Sequence, residues 1–227
     1  MAHQRPSILE LSDDELAPYN SIIQTLARRS YHGENITEQV VHDIQALARM
    51  DEPTARVAQR LIGLLQDDRS VLRLIAALPE RSLSYPAALL LGWFGSRAQS
   101  AVPALIEAIG WGPTIGVGAA ATAVVQIAGE PSPIMDGLTR SLHEASDDAF
   151  VQLLGMAVDM GLCTDSRFIA MLDIAARNPN PTIRERTAEA ISVLPDDIRI
   201  RLDDAIARLR TDEEQHVQEA MRSALQP

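Results

Sequence analysis

Lysine is absent from the 227-residue sequence, cysteine occurs once, and aromatic residues make up only 4% of the chain. Arginine therefore supplies all 20 basic residues, against 31 acidic ones, and the formal net charge is -11. Because nucleic-acid binding depends on clustered cations, this composition argues against DNA or RNA as a partner. The single Cys163 excludes an intramolecular disulfide and a cysteine-rich zinc site. Missing lysine is typical of a GC-rich genome, so we expect a bacterial protein.

Long apolar segments are also lacking. The first fifteen residues contain no apolar core of a signal peptide, so we expect a cytoplasmic protein. The one window without charge, residues 108–129, is rich in Gly and Ala and contains Pro113. Such a composition breaks a helix, and we predict a helix end, a turn and a second helix here, with no membrane span.

A repeat of about 34 residues runs along the chain. Its alanine-rich segments align from 83–95 onward, and a looser copy covers 54–66. Equivalent apolar positions fall at Leu91, Val125, Ala157, Ile191 and Leu225. A fixed period of this size indicates stacked supersecondary units.

Each copy follows another segment whose apolar residues recur at helical spacing, as in Val71, Leu74, Ile75 and Leu78. No stretch shows the alternation typical of strands. We therefore predict an all-α fold, an α-α superhelix or solenoid of about six helix pairs preceded by one helix near residues 12–29. The chain is expected to form a single domain over 1–227, with a capping segment and helix in 1–36 and repeats in 37–227.

Several boundary signals agree with this partition. Ser12 with Glu15 and Thr211 with Glu214 have the spacing of capping boxes, and Asn180-Pro181 is typical of a helix start. Glycines in three copies are expected to end helices, at Gly95, Gly129 and Gly161.

The segment 87–95, AALLLGWFG, followed by AVPALIEAI at 101–109, resembles the HEAT-like repeat of the phycobiliprotein lyase type. That family has an alanine-rich second helix, a short turn and an Ala-Val-Pro-x-Leu start to the next helix. The resemblance implies an α-α superhelix whose members mostly bind proteins, while a minority are enzymes or chromophore-handling factors. It does not by itself imply lyase activity.

No catalytic residues, cofactor or metal site can be assigned from the sequence. The five histidines fall on different units, and His143-Glu144 is an isolated pair without metalloenzyme spacing. Cys163 lacks the cationic surroundings of a reactive thiol. Acidic doublets such as Asp196-Asp197 and Asp203-Asp204 mostly stand where helices begin, so we interpret them as complementing helix dipoles.

A candidate binding line follows from the repeat register. Tyr85, Leu89 and Trp93 are left over at i, i+4 and i+8 when the remaining apolar positions are assigned to packing. Tyr, Trp and Arg often anchor interfaces, and Trp111 could extend the patch. The alternative is that a neighbouring helix or the leading segment covers this line. Including the equivalent positions on neighbouring helices, the predicted partner-binding residues are Tyr85, Leu89, Trp93, Arg56, Arg60 and Ile127.

The equivalent lines farther along the chain are Val151, Gly155 and Asp159, then Glu185, Glu189 and Val193. Polarity therefore changes along the repeats from cationic to anionic. We predict a non-enzymatic module that binds a protein or peptide along its concave face. Two alternatives remain open: an immunity or inhibitor protein against a basic toxin, and a chromophore-lyase-like factor. The sequence does not indicate an oligomeric state.

Overall fold

The fold is all-helical. A computed structural model describes residues 9, 11–49, 51–111, 114–144 and 147–223, and no strand occurs among them. The first seven helices are α1 (Asp13–Ala27), α2 (Ile36–Leu47), α3 (Glu52–Gln66), α4 (Arg69–Ala77), α5 (Ser84–Trp93), α6 (Val102–Trp111) and α7 (Thr114–Ala128). The following seven are α8 (Ile134–Glu144), α9 (Asp147–Asp159), α10 (Ser166–Ala175), α11 (Pro181–Ser192), α12 (Asp196–Arg199), α13 (Asp203–Arg210) and α14 (Gln215–Ser223). Short 3₁₀ turns cover Gly95–Ala101, Leu162–Thr164 and Ile200–Leu202.

The chain divides into two compact units. Unit 1 comprises Met1–Ala108 and Ala119–Glu130, and unit 2 comprises Ile109–Gly118 and Pro131–Pro227. In unit 1, α3 packs against both α1 and α2, and α4 packs against α5. The prediction of a single domain over 1–227 concerns how these units combine and stays a prediction.

In unit 2, the second helices of successive pairs lie side by side. Helix α11 packs against α9 on one side and against α14 on the other, while α8 packs on α9 and α13 on α14. Phe150, Phe168, Leu172 and Ile191 are fully buried between these helices. These buried residues of α9, α10 and α11 form part of the core of this unit.

Most predicted helix boundaries are confirmed. Ser12 donates its backbone N–H to the Glu15 carboxylate at 3.0 Å, which forms part of the predicted capping box at the start of α1. The Asn180 side chain accepts the Thr182 N–H at 2.9 Å, with Pro181 in the first turn of α11. The three predicted stop glycines, Gly95, Gly129 and Gly161, all have positive φ, which residues with a Cβ rarely adopt.

Two predicted boundaries are wrong. The helical spacing of Ile198, Leu202, Ala205, Ile206 and Leu209 predicts one helix over 198–209, but Leu202 adopts φ -115° and ψ 19° and a new helix starts at Asp203. Thr211 is not the cap of the last helix. Its hydroxyl donates to the Ala207 carbonyl at 3.1 Å and so belongs to the end of α13.

The window without charge behaves as the sequence predicts, since α6 ends at Trp111 and α7 begins at Thr114. The predicted turn at Gly112 and Pro113 lies outside the described residues, as does the repeat position Leu225. Within the described part of the chain, no helix is long and apolar enough to cross a membrane.

Candidate functional site

The predicted binding line on α5 is largely covered by other parts of unit 1. Trp93 is only 1% exposed, and the ring of Tyr31 meets it edge-on with centroids 6.4 Å apart. The Thr37 hydroxyl donates to the Trp93 carbonyl at 3.0 Å, which holds the start of α2 against the end of α5. The expectation that Trp93 is exposed to a partner is therefore wrong, because the segment leading into α2 covers it.

Tyr85 and Leu89, on the same line, are half-buried. Tyr19 on α1 lies close enough that the phenol of Tyr85 contributes to its titration. Burial, aided by Tyr85, raises the pKa of Tyr19 to about 12. Helix α1 thus reaches the start of the line, and partner binding by Tyr85 and Leu89 stays a prediction.

Arg56 and Arg60 on α3 bind the acidic first turn of α1. Arg56 contacts Asp14 at 3.0 Å and Glu15 at 3.5 Å, and Arg60 contacts Glu15 at 3.2 Å. The Glu15 carboxylate is almost fully buried, and its pKa is lowered mainly by hydrogen bonds from Ser12, with a further contribution from the two arginines. Both guanidinium groups remain partly exposed, but both form ion pairs with acids of α1 that hold α1 on α3.

Ile127, the remaining predicted contact residue, is 3% exposed and belongs to the core. Its neighbour on the same predicted line, Ala123, is 1% exposed. The expectation that Ile127 is available to a partner is therefore wrong. In unit 1, Arg56, Arg60 and Trp93 of the predicted binding residues therefore contact α1 or residues 31–37.

In unit 2 the residues at the equivalent register positions are not covered. All of them except Glu185 line an open groove between α9 and α11. Val151, Gly155 and Asp159 follow one another along one face of α9 and form one wall of the groove. Glu189 and Val193 belong to the opposite wall, on α11. The groove encloses about 280 Å³, and among the described residues it is lined by Val151, Leu154, Gly155, Val158, Asp159, Arg186, Glu189, Ala190 and Val193.

The floor of this groove is apolar, and no side chain fills the space above Gly155. Leu154 and Ala190 are buried beneath it, and a Cβ placed on Gly155 would meet no atom within 4 Å. The backbone of α9 is therefore accessible at Gly155. Val193, just after the end of α11, is an apolar residue that is 64% exposed to solvent. This arrangement can accept an apolar side chain from outside.

Polar groups lie at the rim of the groove. Arg186 contacts Glu189 at 2.6 Å, and this bond, with the nearby charge of Glu185, raises the pKa of the Arg186 guanidinium. Asp159 is exposed at the last residue of α9 and has no hydrogen bond or ion pair among the described residues. The register grouped Asp159, Glu185 and Glu189 but not Arg186, and the sequence did not single them out as a site.

A second concavity, of about 600 Å³, lies in unit 1 and is polar. It is shallow and is lined by residues 29–31, 35, 38, 39, 42 and 43. Tyr31 donates its hydroxyl to Asp43 at 2.8 Å, and Asp43 also contacts Arg29. Burial, together with the Asp43 bond, raises the pKa of Tyr31. Since Tyr31, Asp43 and Arg29 bind one another, these three groups of the cleft are less available to an outside ligand.

The remaining candidate chemical groups do not converge. His143 is exposed on α8, and Cys163 is half-buried in the 3₁₀ turn after α9. Among the residues that the structure describes, no three His, Cys, Asp or Glu side chains come together as metal ligands. The side chain of Trp111, the predicted extension of the patch, lies outside the described part. Comparison with protein-family models, with curated proteins and with solved structures gives no match.

Proposed function

We propose that this chain is a non-enzymatic interaction module of HEAT-like helix pairs arranged as a solenoid, and that it binds a segment of another protein. The observation that carries the proposal is the open groove between α9 and α11. Five of its nine described lining residues lie at positions that the repeat register leaves free, and the backbone at Gly155 is accessible. In repeat proteins such positions on successive second helices form extended binding surfaces.

The size and chemistry of the groove favour a protein segment over a small-molecule substrate. Pockets for drug-sized ligands enclose roughly 300–1,000 Å³ and are usually deeper, whereas this groove encloses about 280 Å³ and is open. Among the described residues its lining holds no Ser, Cys, His or Tyr, and its possible bases are the carboxylates of Asp159 and Glu189, the latter bound to Arg186. One or two side chains of a peptide fit this space better than a chromophore.

An immunity or inhibitor protein is a narrower version of the same proposal. An acidic surface complements a basic toxin and speeds its association. Residues 101–227 contain 19 acids and 10 arginines, which gives that part of the chain a net charge of -9. The peptide-binding experiment below tests the general proposal, and the charge preference of the peptides bears on the narrower one.

The test is a peptide selection on the intact protein. A displayed library of random peptides about 16 residues long is selected on the wild type, and the enriched peptides are then measured against Gly155→Leu and Gly63→Leu. Gly63 is the matched control, since it is also an exposed glycine inside a helix, and its Cβ would also meet nothing within 4 Å. Circular dichroism verifies that both variants are folded.

The leucine side chain of Gly155→Leu would fill the groove and remove the space for an apolar side chain of the ligand, whose burial is worth roughly 1.5–3 kcal/mol. We therefore expect Gly155→Leu to weaken peptide binding by about tenfold or more, while Gly63→Leu binds as the wild type does. Equal binding by all three proteins, or a failure to select any peptide that depends on Gly155, would contradict the proposed function.

A further inference from the structure

The charges around the α9–α11 groove are not balanced within unit 2. Arg186 is the only cation in the described lining, and Glu189 and Glu185 already share it. Asp159 has no partner among the described residues. The groove therefore carries an excess of negative charge at the end of α9.

Asp159 also stands where an acid is unfavourable for its own helix. The C-terminus of a helix carries a partial negative charge, which favours cations and disfavours carboxylates. Neither α9 nor α11 has a basic residue in its last turn. In α10 of the same unit, the acid near the helix end has a cation partner, since Asp173 contacts Arg177 at 2.8 Å. In the part of the chain that the structure describes, the end of α9 lacks such an internal cation, and one supplied from outside would be attracted there.

The spacing along α9 defines what else the incoming segment must carry. Gly155 and Asp159 are four residues apart, which corresponds to about 6 Å along a helix axis. On a bound helix, residues three or four positions apart are separated by a similar distance and share one face. An apolar side chain over Gly155 and a cation at Asp159 are therefore one helical turn apart on the same ligand face.

From these observations we infer that the groove recognises a segment of a protein partner in which an apolar residue and an Arg or Lys lie about 6 Å apart on one face, the spacing of residues one turn apart on an amphipathic helix. The apolar side chain occupies the space above Gly155, and the cation binds Asp159 and the carbonyl end of α9. Val193 and Val158 contact the apolar side chain from the two walls. This inference rests on the proposed function and specifies the chemistry of the partner.

Defined peptides test this specificity. Alanine-rich helical peptides of about 16 residues carry Leu at one central position, and the positions three and four residues away on both sides are varied among Arg, Lys, Gln and Glu. Binding is measured to the wild type, Asp159→Asn, Asp159→Lys and Asp197→Asn. Asp197 is an exposed acid of α12 in the same unit that does not line the groove, so its variant controls for net charge.

We expect the wild type to prefer Arg or Lys peptides over the Glu peptide, with a preference that weakens at high salt. Asp159→Asn should lower the affinity for the Arg peptide about threefold to fivefold, the effect of a partly exposed ion pair, and Asp197→Asn should not. Asp159→Lys should reverse the preference in favour of Glu.

Two results would overturn the inference, and they differ from failure of the proposed function. If peptides bind in a Gly155-dependent manner but Arg, Gln and Glu peptides bind equally, the groove binds protein segments without the proposed charge recognition. If Asp197→Asn weakens binding as much as Asp159→Asn, overall charge and not Asp159 governs the preference. Absence of any Gly155-dependent binding would contradict the proposed function itself.

Discussion

A single buried ion pair fixes the end of unit 2. Arg184 binds Asp212 through two parallel bonds of 2.8 Å, and its remaining nitrogen donates to the carbonyls of Asn178 and Pro179. The side chains of Arg184 and Asp212 are 9% and 6% exposed. Because Asp212 also accepts the Glu214 N–H at 3.0 Å, this carboxylate joins the loop before α11 to the start of α14.

Removing one member of this pair should be costly, since the other charge stays buried. We predict that Asp212→Asn lowers the free energy of unfolding by roughly 3–5 kcal/mol, measured by urea denaturation at neutral pH. Glu213→Gln is the control. Glu213 is 84% exposed, and its contact with Arg184 is long, at 3.7 Å. Removing its charge should therefore change the free energy of unfolding by less than about 0.5 kcal/mol. Similar effects of the two substitutions would contradict this role of Asp212.

The same pair predicts a pH dependence. The hydrogen bonds from Arg184 lower the pKa of Asp212 below its ordinary value of 3.8 in the folded state. Stability from this pair is therefore present above that value and is lost as pH falls below it through the folded-state pKa. We expect the free energy of unfolding of the wild type to fall more steeply than that of Asp212→Asn as the pH drops below about 4. Parallel pH profiles would show that Asp212 does not contribute.

The position of Trp93 can be tested by fluorescence. In a Trp111→Phe variant Trp93 is the only tryptophan, and at 1% exposure it should emit at short wavelength and resist quenching by acrylamide. Its emission should become accessible only on unfolding. Efficient quenching in the folded protein would mean that residues 31–37 do not cover α5, and that the binding line on α5 is available after all.

At the scale of helices, the sequence was sufficient to locate most elements. The apolar spacing predicted α2 through α11 because each helix buries one face, and this produces a local pattern. The apolar spacing did not predict the break at Leu202, since Ile198, Leu202 and Leu209 keep helical spacing across it, although the Asp203-Asp204 doublet is typical of a helix start. Thr211 was misassigned because a threonine hydroxyl can bond to the helix before it or to the helix after it. Here it donates to the Ala207 and Arg208 carbonyls of α13, and Asp212, which binds Arg184, accepts the Glu214 N–H just before α14.

The candidate site was only partly predictable for a related reason. The register grouped Val151, Gly155 and Asp159 with Glu185, Glu189 and Val193, and all of these except Glu185 line the groove, because residues four apart on a helix share a face. Whether such a face is open depends on what packs on it. In unit 1, α1 and residues 31–37 cover it through contacts such as Arg56 with Asp14 and Tyr31 with Trp93, and no local pattern reports these contacts.

Glycines inside helices provide a test of packing between elements. A Cβ on Gly92 of α5 would lie 3.1 Å from the Ala123 Cα and would overlap the Gln126 side chain, which donates to the Tyr31 carbonyl. We predict that Gly92→Ala destabilises the protein by roughly 1–3 kcal/mol. Gly155→Ala should instead stabilise it by roughly 0.5–1 kcal/mol, because alanine favours the helix and meets no atom.

Thermal and urea denaturation of the two variants would check these opposite signs. Gly63→Ala should resemble Gly155→Ala, since Gly63 is equally exposed within α3. If Gly155→Ala destabilised the protein as Gly92→Ala does, the space above Gly155 would be filled by the protein itself, and the groove would not be open.

At the scale of the whole molecule, the charge of -11 has an uneven origin. The cations of α3 are bound to acids of α1, and Arg184 is bound to Asp212, so these arginines are largely neutralised within the chain. Asp159 has no such partner in the ranges that the structure describes. Arg56, Arg60 and Trp93 of unit 1 therefore make contacts within the fold, and under the proposed function the acidity of the C-terminal half would act on a partner where it borders the α9–α11 groove.

The most direct test of this account is to locate a bound peptide on the intact chain. A groove-selected peptide that carries benzoylphenylalanine next to its apolar residue is photo-crosslinked to the wild type, and the linked residues are identified by mass spectrometry. We predict cross-links within 151–159 and 186–193, and their loss in Gly155→Leu. Cross-links concentrated in 56–64 or 85–93, or unaffected by Gly155→Leu, would contradict the central claim that the α9–α11 groove is the binding surface.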